Sequence, residues 1–397
     1  MQKFLVEPLQ STDISTVIVI DALDECRDED PESAILLVLG QLVPEIPKVK
    51  FFITSRPETH IMDGFRGPLL QGLTNVFILH QVEPCTINSD IRHFFKQELS
   101  KLAQWHGSTC GWPTDKQIDS LCQRAAGFFV YAAATVNFLN HHLQDPSDQL
   151  NTIMESPEST AYEGETGLKV YQSLDTLYMS ILQKSFHKNK AKDDDMVCSV
   201  LSAVVLATNP LSPSTISTLT GFSCTTVQRV LGLIQSLLIL PEDSNQPVQL
   251  FHKSFPDFIT DPTRCTNTQF HISPNNHTKL VLWCLELMSK SLEKNMYSIP
   301  DYSLNSEVED LPKRVEESGI HRALEYACRL WYKHLIVKLQ AADVVSALSC
   351  FLEQKFLFWL EVLSILGTVG DAVHALNTTI KWLSEVCLNQ KFYCQVA

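Results

Sequence analysis

Asp21, Asp24 and Glu25 close the run VIVIDALDEC (17–26). Val17 to Ile20 are all apolar and β-branched, which suits a strand buried on both faces of a parallel sheet. Carboxylates at the carboxyl edge of such a strand can organise Mg²⁺ and polarise water. The blander reading is a buried strand followed by an acidic turn that caps the next helix. The full form, four apolar residues, Asp, a small residue, an apolar residue, Asp and Glu, is more specific than that. With FFITSRPE (51–58) one helical crossover downstream, the spacing favours nucleotide chemistry. Arg56 stands in that second motif. Its guanidinium either pairs with Asp21 or Glu25 or senses a γ-phosphate, whose oxygens it fits as a fork. The third candidate is His252 in LFHKSFPDFI (250–259). A lone His between apolar residues is usually a core or interface residue. Here it ends a strand and precedes an amphipathic S-F-x-x-F segment.

The surrounding pattern supplies the elements that must position these groups. A helix is expected over 33–42, after the acidic turn RDEDPE and before Pro44 and Pro47. Val49–Ile53 and Val76–Leu79 read as two further strands, so the first region is a parallel sheet with Asp21 and Arg56 at its carboxyl edge. From Asn88 the period becomes helical: 90–102 with Ser89 as cap, then two helices within 116–139 joined at Gly127. Residues 144–168 are polar and carry Pro146, Pro157, Gly164 and Gly167, the composition of a loop or linker. An amphipathic helix spans 170–186, and 188–195 is a charged turn. Next come a helix over 196–207, a short helix from Pro213 to Leu219 capped by Ser212, a turn at 221–223 and a helix over 224–237. Two short strands, 237–240 and 248–252, complete three helices and a hairpin, the pattern of a winged helix. The remainder, 277–397, is helical, with apolar spacing in 279–292, 321–339, 343–366 and 371–388. The aromatics of YACRLWYKHL (326–335) and FLFWL (356–360) recur at core spacing.

The expected fold class is therefore an incomplete α/β, parallel-sheet core followed by mainly α-helical domains that include a winged helix. The boundaries fall at 1–86 for the sheet core, 87–143 for a small helical domain, 144–169 for a linker, 170–262 for the winged helix with its preceding helix, and 263–397 for a second helical domain.

Composition excludes several classes. The net charge of −14 opposes binding of nucleic acid or an anionic membrane through bulk electrostatics. Arg229 and Lys253 are the two basic residues between 208 and 260, too few for a phosphate-tracking face, so DNA is not expected as a partner. The 12 cysteines form no CxxC pair and no zinc-ligand spacing, and read as reduced, mostly buried thiols of a cytoplasmic protein. Glu7 and Pro8 interrupt any signal core, and no apolar stretch is long enough to span a bilayer.

On VIVIDALDEC, FFITSRPE, GFFVYAAAT (127–135), LDTLYMSIL (174–182), LFHKSFPDFI, YACRLWYKHL and FLEQKFLFWLEVLS (351–364), the chain resembles the NACHT-containing STAND NTPases. These are NLR-like signalling proteins, and the likeness is to the large group of mushroom-forming fungi, nephrocystin-3-like at the N-terminal P-loop NTPase region. The resemblance implies that Asp21 is the Mg²⁺-organising Walker B acid. It implies that Asp24 and Glu25 are the extended acidic pair, Glu25 being the better candidate for orienting the attacking water. Arg56 corresponds to the sensor 1 arginine, and His252 to the winged-helix histidine that holds the β-phosphate of ADP. Family members hold ADP between the NACHT core, a helical domain and the winged helix; exchange opens them and drives oligomerisation.

Two departures bear on function. No GxxxxGK[ST] loop occurs in these residues, and the family's Gly-Leu-Pro-Leu reads Gly127-Phe128-Phe129-Val130. KFLVEPLQ (3–10) resembles the helix just upstream of Walker B, so the chain is expected to start in mid-domain. The expected function is a truncated, nucleotide-gated switch of innate-immune or self/non-self recognition, with ATP or ADP and Mg²⁺ as the family's cofactors and no NTP hydrolysis by itself. Its expected partners are proteins: further copies of the chain or full-length relatives. The alternatives are a nucleotide-free interaction scaffold that modulates such relatives, or a fragment of a longer product with a missed start.

Overall fold

The computed structural model describes residues 15–26, 31–79, 83–106, 111–140, 145–155, 171–186, 191–297, 299, 322–336 and 341–396. The chain divides into two compact units, Met1–Val82 and Glu83–Ala397.

In the first unit β1 (Thr16–Ile20) runs parallel to β2 (Val49–Ile53), in register from Thr16↔Val49 to Ile20↔Ile53. Between them lies α1 (Pro31–Leu42), and α2 (Thr59–Arg66) follows β2. Leu23, Leu36, Leu39, Ile61 and Leu70 form the core, with Ile20, Phe51 and Ile53 packed on it. The opposite face differs from expectation: Val17 and Val19 are each 64% exposed and Phe52 is 60% exposed. Strand side chains alternate between faces, and among the described residues only one face is covered by helices, so β-branched composition alone overstated the burial. Val76–Leu79 is not a strand either. Phe77 is 77% exposed, and the sheet has two strands among the described residues. A strand is made by its ladder partner, which an apolar run does not by itself provide.

The second unit is helical: α3 (Pro84–His106), α4 (Asp115–Ala125), α5 (Phe129–Leu139), α6 (Pro146–Glu155), α7 (Gln172–Phe186), α8 (Ala191–Leu206), α9 (Pro213–Thr220) and α10 (Cys224–Leu233). The two-residue strands β3 (Leu238–Ile239) and β4 (Gln249–Leu250) then pair antiparallel. After them come α11 (Ser254–Thr260), α12 (Asn276–Ser291), α13 (Arg322–Leu330), α14 (Ala341–Ile365) and α15 (Val369–Val396). One continuous apolar core runs from Ile91 on α3 to Val386 on α15. The Ser212 cap accepts from the Thr215 N–H with Pro213 in the first turn, and Gly221 ends α9 in the left-handed region at φ 76°. Trp331, Trp359 and Phe351 are buried together, as their spacing suggested.

Three expectations need correction here. Ser89 lies inside α3, which starts at Pro84. The polar segment from 144 contains α6, because Pro146 occupies the first helical turn, where its missing N–H is harmless, and Asp145 Oδ1 accepts from Ser147 N at 2.8 Å. Leu150 and Ile153 then bury against the core. Residues 191–195 belong to α8 rather than to a turn. Residues 144 and 156–169 of the expected linker, and the KFLVEPLQ segment, lie outside the described residues. Cys265, Cys284 and Cys328 are buried free thiols, but Cys85 and Cys350 are exposed, so burial of the cysteines is less general than composition suggested. No helix among the described residues is long and apolar enough to cross a membrane.

Candidate functional site

The parallel register puts the residues after β1 beside those after β2. Thr54 N donates to Ile20 O at 3.0 Å, and Leu23 N donates to Thr54 O at 2.9 Å. The Thr54 hydroxyl accepts from Ala22 N at 2.8 Å and donates to Asp21 Oδ1. Ala22 takes the left-handed conformation (φ 53°, ψ 55°), which turns the chain sharply into the 3₁₀ turn Leu23–Glu25. Buried Leu23 anchors that turn and leaves Asp21 and Glu25 exposed.

Asp24 behaves differently. Its side chain is only 4% exposed, it accepts from Arg56 N at 3.0 Å, and its second oxygen lies 3.6 Å from Arg56 Nε. Arg56 therefore pairs with Asp24, and not with Asp21 or Glu25. A carboxylate held by a backbone N–H and a guanidinium fixes one strand-end loop to the other. The structure thus brings Asp21, Asp24, Glu25 and Arg56 to one sheet edge. No cluster of three or more His, Cys, Asp or Glu side chains suited to a metal occurs among the described residues.

His252 lies in the second unit, between β4 and α11. Ser254 N donates to His252 Nδ1 at 3.1 Å, and Ser254 Oγ lies 2.7 Å from the same nitrogen. Tyr178 OH on α7 is 2.7 Å from Ser254 Oγ. Burial of Tyr178 pushes its phenol up to about 12, so it stays protonated at neutral pH. Sequence reasoning missed Thr54, Ser254 and Tyr178. Thr54 had a readable signal: it is the first residue past β2, opposite Asp21 once Ile20 and Ile53 are paired. Tyr178 had none, being 76 residues from Ser254.

Residues 1–56 match the family model described as Nephrocystin 3, N-terminal. The chain is also 21% identical over 395 residues to "Vegetative incompatibility protein HET-E-1" of Podospora anserina. The chain is thus nephrocystin-3-like over residues 1–56 and similar to that fungal protein over most of its length. The alignment covers 91% of this chain but 26% of that relative, so the chain spans about a quarter of its length. No solved structure matches it. The family match ends at Arg56 and thus contains VIVIDALDEC and the second motif as far as Arg56, whereas His252 falls in the part matched only by the relative.

Proposed function

We propose that this NACHT-like chain is a nucleotide-responsive regulatory module of an NLR-like signalling protein, of the self/non-self kind that the relative's name as a vegetative incompatibility protein describes. The observation that carries this reading is the joined β1–β2 edge, where Asp21 and Arg56 stand on adjacent loops knit together by Thr54 and Asp24.

The nucleotide would supply phosphate oxygens and the charge that draws Mg²⁺. Asp21 fits the metal-organising role in part. It is exposed, and Thr54 fixes one of its oxygens. One or two carboxylates leave an octahedral ion short of ligands, so phosphate oxygens and waters must complete it. Glu25, exposed in the same turn, is the residue to orient a water. Asp24 is spent on Arg56, and its role is to hold that loop. In the second unit, β3 and β4 with the three preceding helices form the winged helix, and His252 is its phosphate contact. The finer boundaries at 86, 143, 169 and 262 belong to the same reading, as do protein partners.

Residues 1–397 contain no GxxxxGK[ST], and a phosphate site depends strongly on that loop's N–H groups and lysine. Nucleotide binding by these residues alone is therefore weak, and NTP turnover does not exceed that of a Glu25→Gln control. The test is the thermal midpoint with millimolar Mg–ADP. The expected result is a small rise in the wild type that His252→Ala reduces, since a charge-assisted contact is worth about 1.5–3 kcal/mol. If no nucleotide shifts the midpoint, the switch reading fails for these residues and the nucleotide-free scaffold replaces it. Turnover that depends on Asp21 overturns the account of hydrolysis.

A further inference from the structure

Every polar group of Thr54, the first residue past β2, is bonded to residues 20–23. Its N–H donates to Ile20 O at 3.0 Å, and its carbonyl accepts from Leu23 N at 2.9 Å. Its hydroxyl oxygen accepts from Ala22 N at 2.8 Å, and the hydroxyl proton goes to Asp21 Oδ1. Neither end of that hydroxyl contact can reverse, because an amide N–H can only donate and an ionised carboxylate can only accept. Ala22 holds the left-handed conformation at φ 53°, which disfavours a residue with a Cβ and which these bonds brace. Asp21 is exposed, and with Oδ1 engaged by Thr54 its other oxygen, Oδ2, is the one left to meet a cation.

We propose that Thr54 is a positioning residue that holds Asp21 as a one-oxygen cation ligand and so sets the choice between Mg²⁺ and Ca²⁺ at the β1–β2 edge. This rests on the reading of Asp21 as the cation-organising acid and adds to it what selects the ion. Mg²⁺ demands near-octahedral ligands at about 2.0–2.1 Å, and it is satisfied by one carboxylate oxygen beside waters and phosphate oxygens. Ca²⁺ takes about six to eight oxygens at longer range and readily spans both oxygens of a carboxylate. Thr54 leaves the first grip intact and opposes the second, because an ion that spans the carboxylate competes with the hydroxyl proton for Oδ1. Asp24 offers no replacement oxygen. Its side chain is 4% exposed and accepts from Arg56 N at 3.0 Å. Serine at position 54 would keep the hydroxyl contact, whereas valine would keep the shape and lose it.

The experiment uses the full 397-residue chain, ¹⁵N-labelled, in the presence of ADP. Mn²⁺, which shares the octahedral oxygen preference of Mg²⁺, is added to broaden the amide signals of residues 20–25. Mg²⁺ or Ca²⁺ is then titrated until the signals recover. The readout is the ratio of the two recovery midpoints, in which chelation by free ADP is common to all variants. Mg²⁺ should displace Mn²⁺ from the wild type at the lower concentration. Thr54→Val should shift the ratio toward Ca²⁺ by about tenfold, the equivalent of one hydrogen bond, and Thr54→Ser should keep the wild-type ratio. Thr54→Val also removes the acceptor of Ala22 N, so it is repeated together with Ala22→Gly, which permits the left-handed turn without a Cβ. Ala22→Gly alone should match the wild type. A ratio unchanged in both Thr54→Val variants overturns the selection and leaves Asp21 as a cation ligand. A ratio shifted by Ala22→Gly alone also overturns it, since the backbone turn and not the hydroxyl would then set the carboxylate. If Mn²⁺ broadens residues 20–25 no more in the wild type than in Asp21→Asn, the reading of Asp21 fails, and the role of Thr54 falls with it.

Discussion

The two units solve the same problem, burying apolar surface, to different extents. The second unit threads one core from Ile91 to Val386 through almost every helix. The first gathers Leu23, Leu36, Leu39, Ile61 and Leu70 on one side of two strands and leaves Val17, Val19 and Phe52 exposed on the other. The chemistry-bearing carboxylates belong to the less buried unit. The difference teaches that order at the β1–β2 edge comes mainly from hydrogen bonds, Thr54 to Asp21 and Asp24 to Arg56, where the second unit relies on packing. Hydrogen bonds at exposed positions contribute modestly to stability. The two units also answer to different probes. All six tryptophans lie beyond residue 100, so tryptophan fluorescence reads the second unit, and amide exchange along the β1–β2 ladder reads the first.

The largest effect should come from the packed side of that comparison. Trp359 is fully buried, donates from Nε1 to Cys328 O at 2.8 Å, and meets Phe351 edge-on with ring centroids 5.9 Å apart. Trp359→Ala should destabilise the second unit by about 3–5 kcal/mol, the usual range for emptying a buried aromatic site. Urea unfolding followed by the remaining tryptophans measures it. A loss under 1 kcal/mol would mean that the aromatic cluster adapts, and the contrast between the units would weaken.

A smaller, pH-dependent effect has its source in the same unit. His277 Nδ1 and His334 Nδ1 face each other at 2.9 Å, His334 Nε2 meets Tyr326 OH at 2.9 Å, and Thr208 N donates to that hydroxyl at 3.2 Å. Burial pushes His277 down to about 4. Burial, then the charge of His277, pushes His334 down to about 3. Both folded values lie below the ordinary histidine value of 6.5, so below that pH the unfolded chain binds more protons. Stability from the pair is complete above about pH 6.5 and falls by about 1.4 kcal/mol per pH unit for each histidine as the pH drops toward the folded values. Urea midpoints at pH 7.5 and 5.0 should show this slope, and His334→Gln should shrink it. A wild type equally stable at both values would show that the pair is not held neutral.

What was legible in the sequence follows the same division. Ser212, Pro213, Gly221 and Ser223 act over one helical turn, and each acts where the local pattern put it. The parallel pairing of β1 with β2 was legible because a helix separates two apolar runs. The exposed face of β1 was not, since coverage depends on which elements pack there and β-branched residues look alike on either face. The VFIL run at 76–79 misled for the same reason. At the candidate site, residue types pointed to the edge that holds Asp21, Glu25 and Arg56. Which acid holds the arginine was decided by the Leu23 anchor, which turns Asp24 inward and Asp21 outward. The Tyr178–Ser254–His252 contact joins α7 to the start of α11, a long-range packing relation with no periodic trace.

The smallest effect is expected at Val19. It points away from the Leu23 core and is 64% exposed, so a mutation there removes little buried apolar area. Thr has nearly the shape of Val and a comparable preference for strands, which leaves the β1–β2 ladder intact. Val19→Thr should therefore change the stability of the first unit by no more than about 0.5 kcal/mol, as at other exposed positions. Leu23→Ala, at a buried position of the same edge, should cost about 2–5 kcal/mol. Amide exchange at Ile18 and Ile20, read in both variants, makes the comparison within one unit. If Val19→Thr speeds exchange as much as Leu23→Ala does, the face bearing Val17, Val19 and Phe52 is buried in solution by a covering layer. The first unit would then be packed on both sides, as its β-branched sequence suggested, and the contrast with the second unit would be one of partners rather than of design.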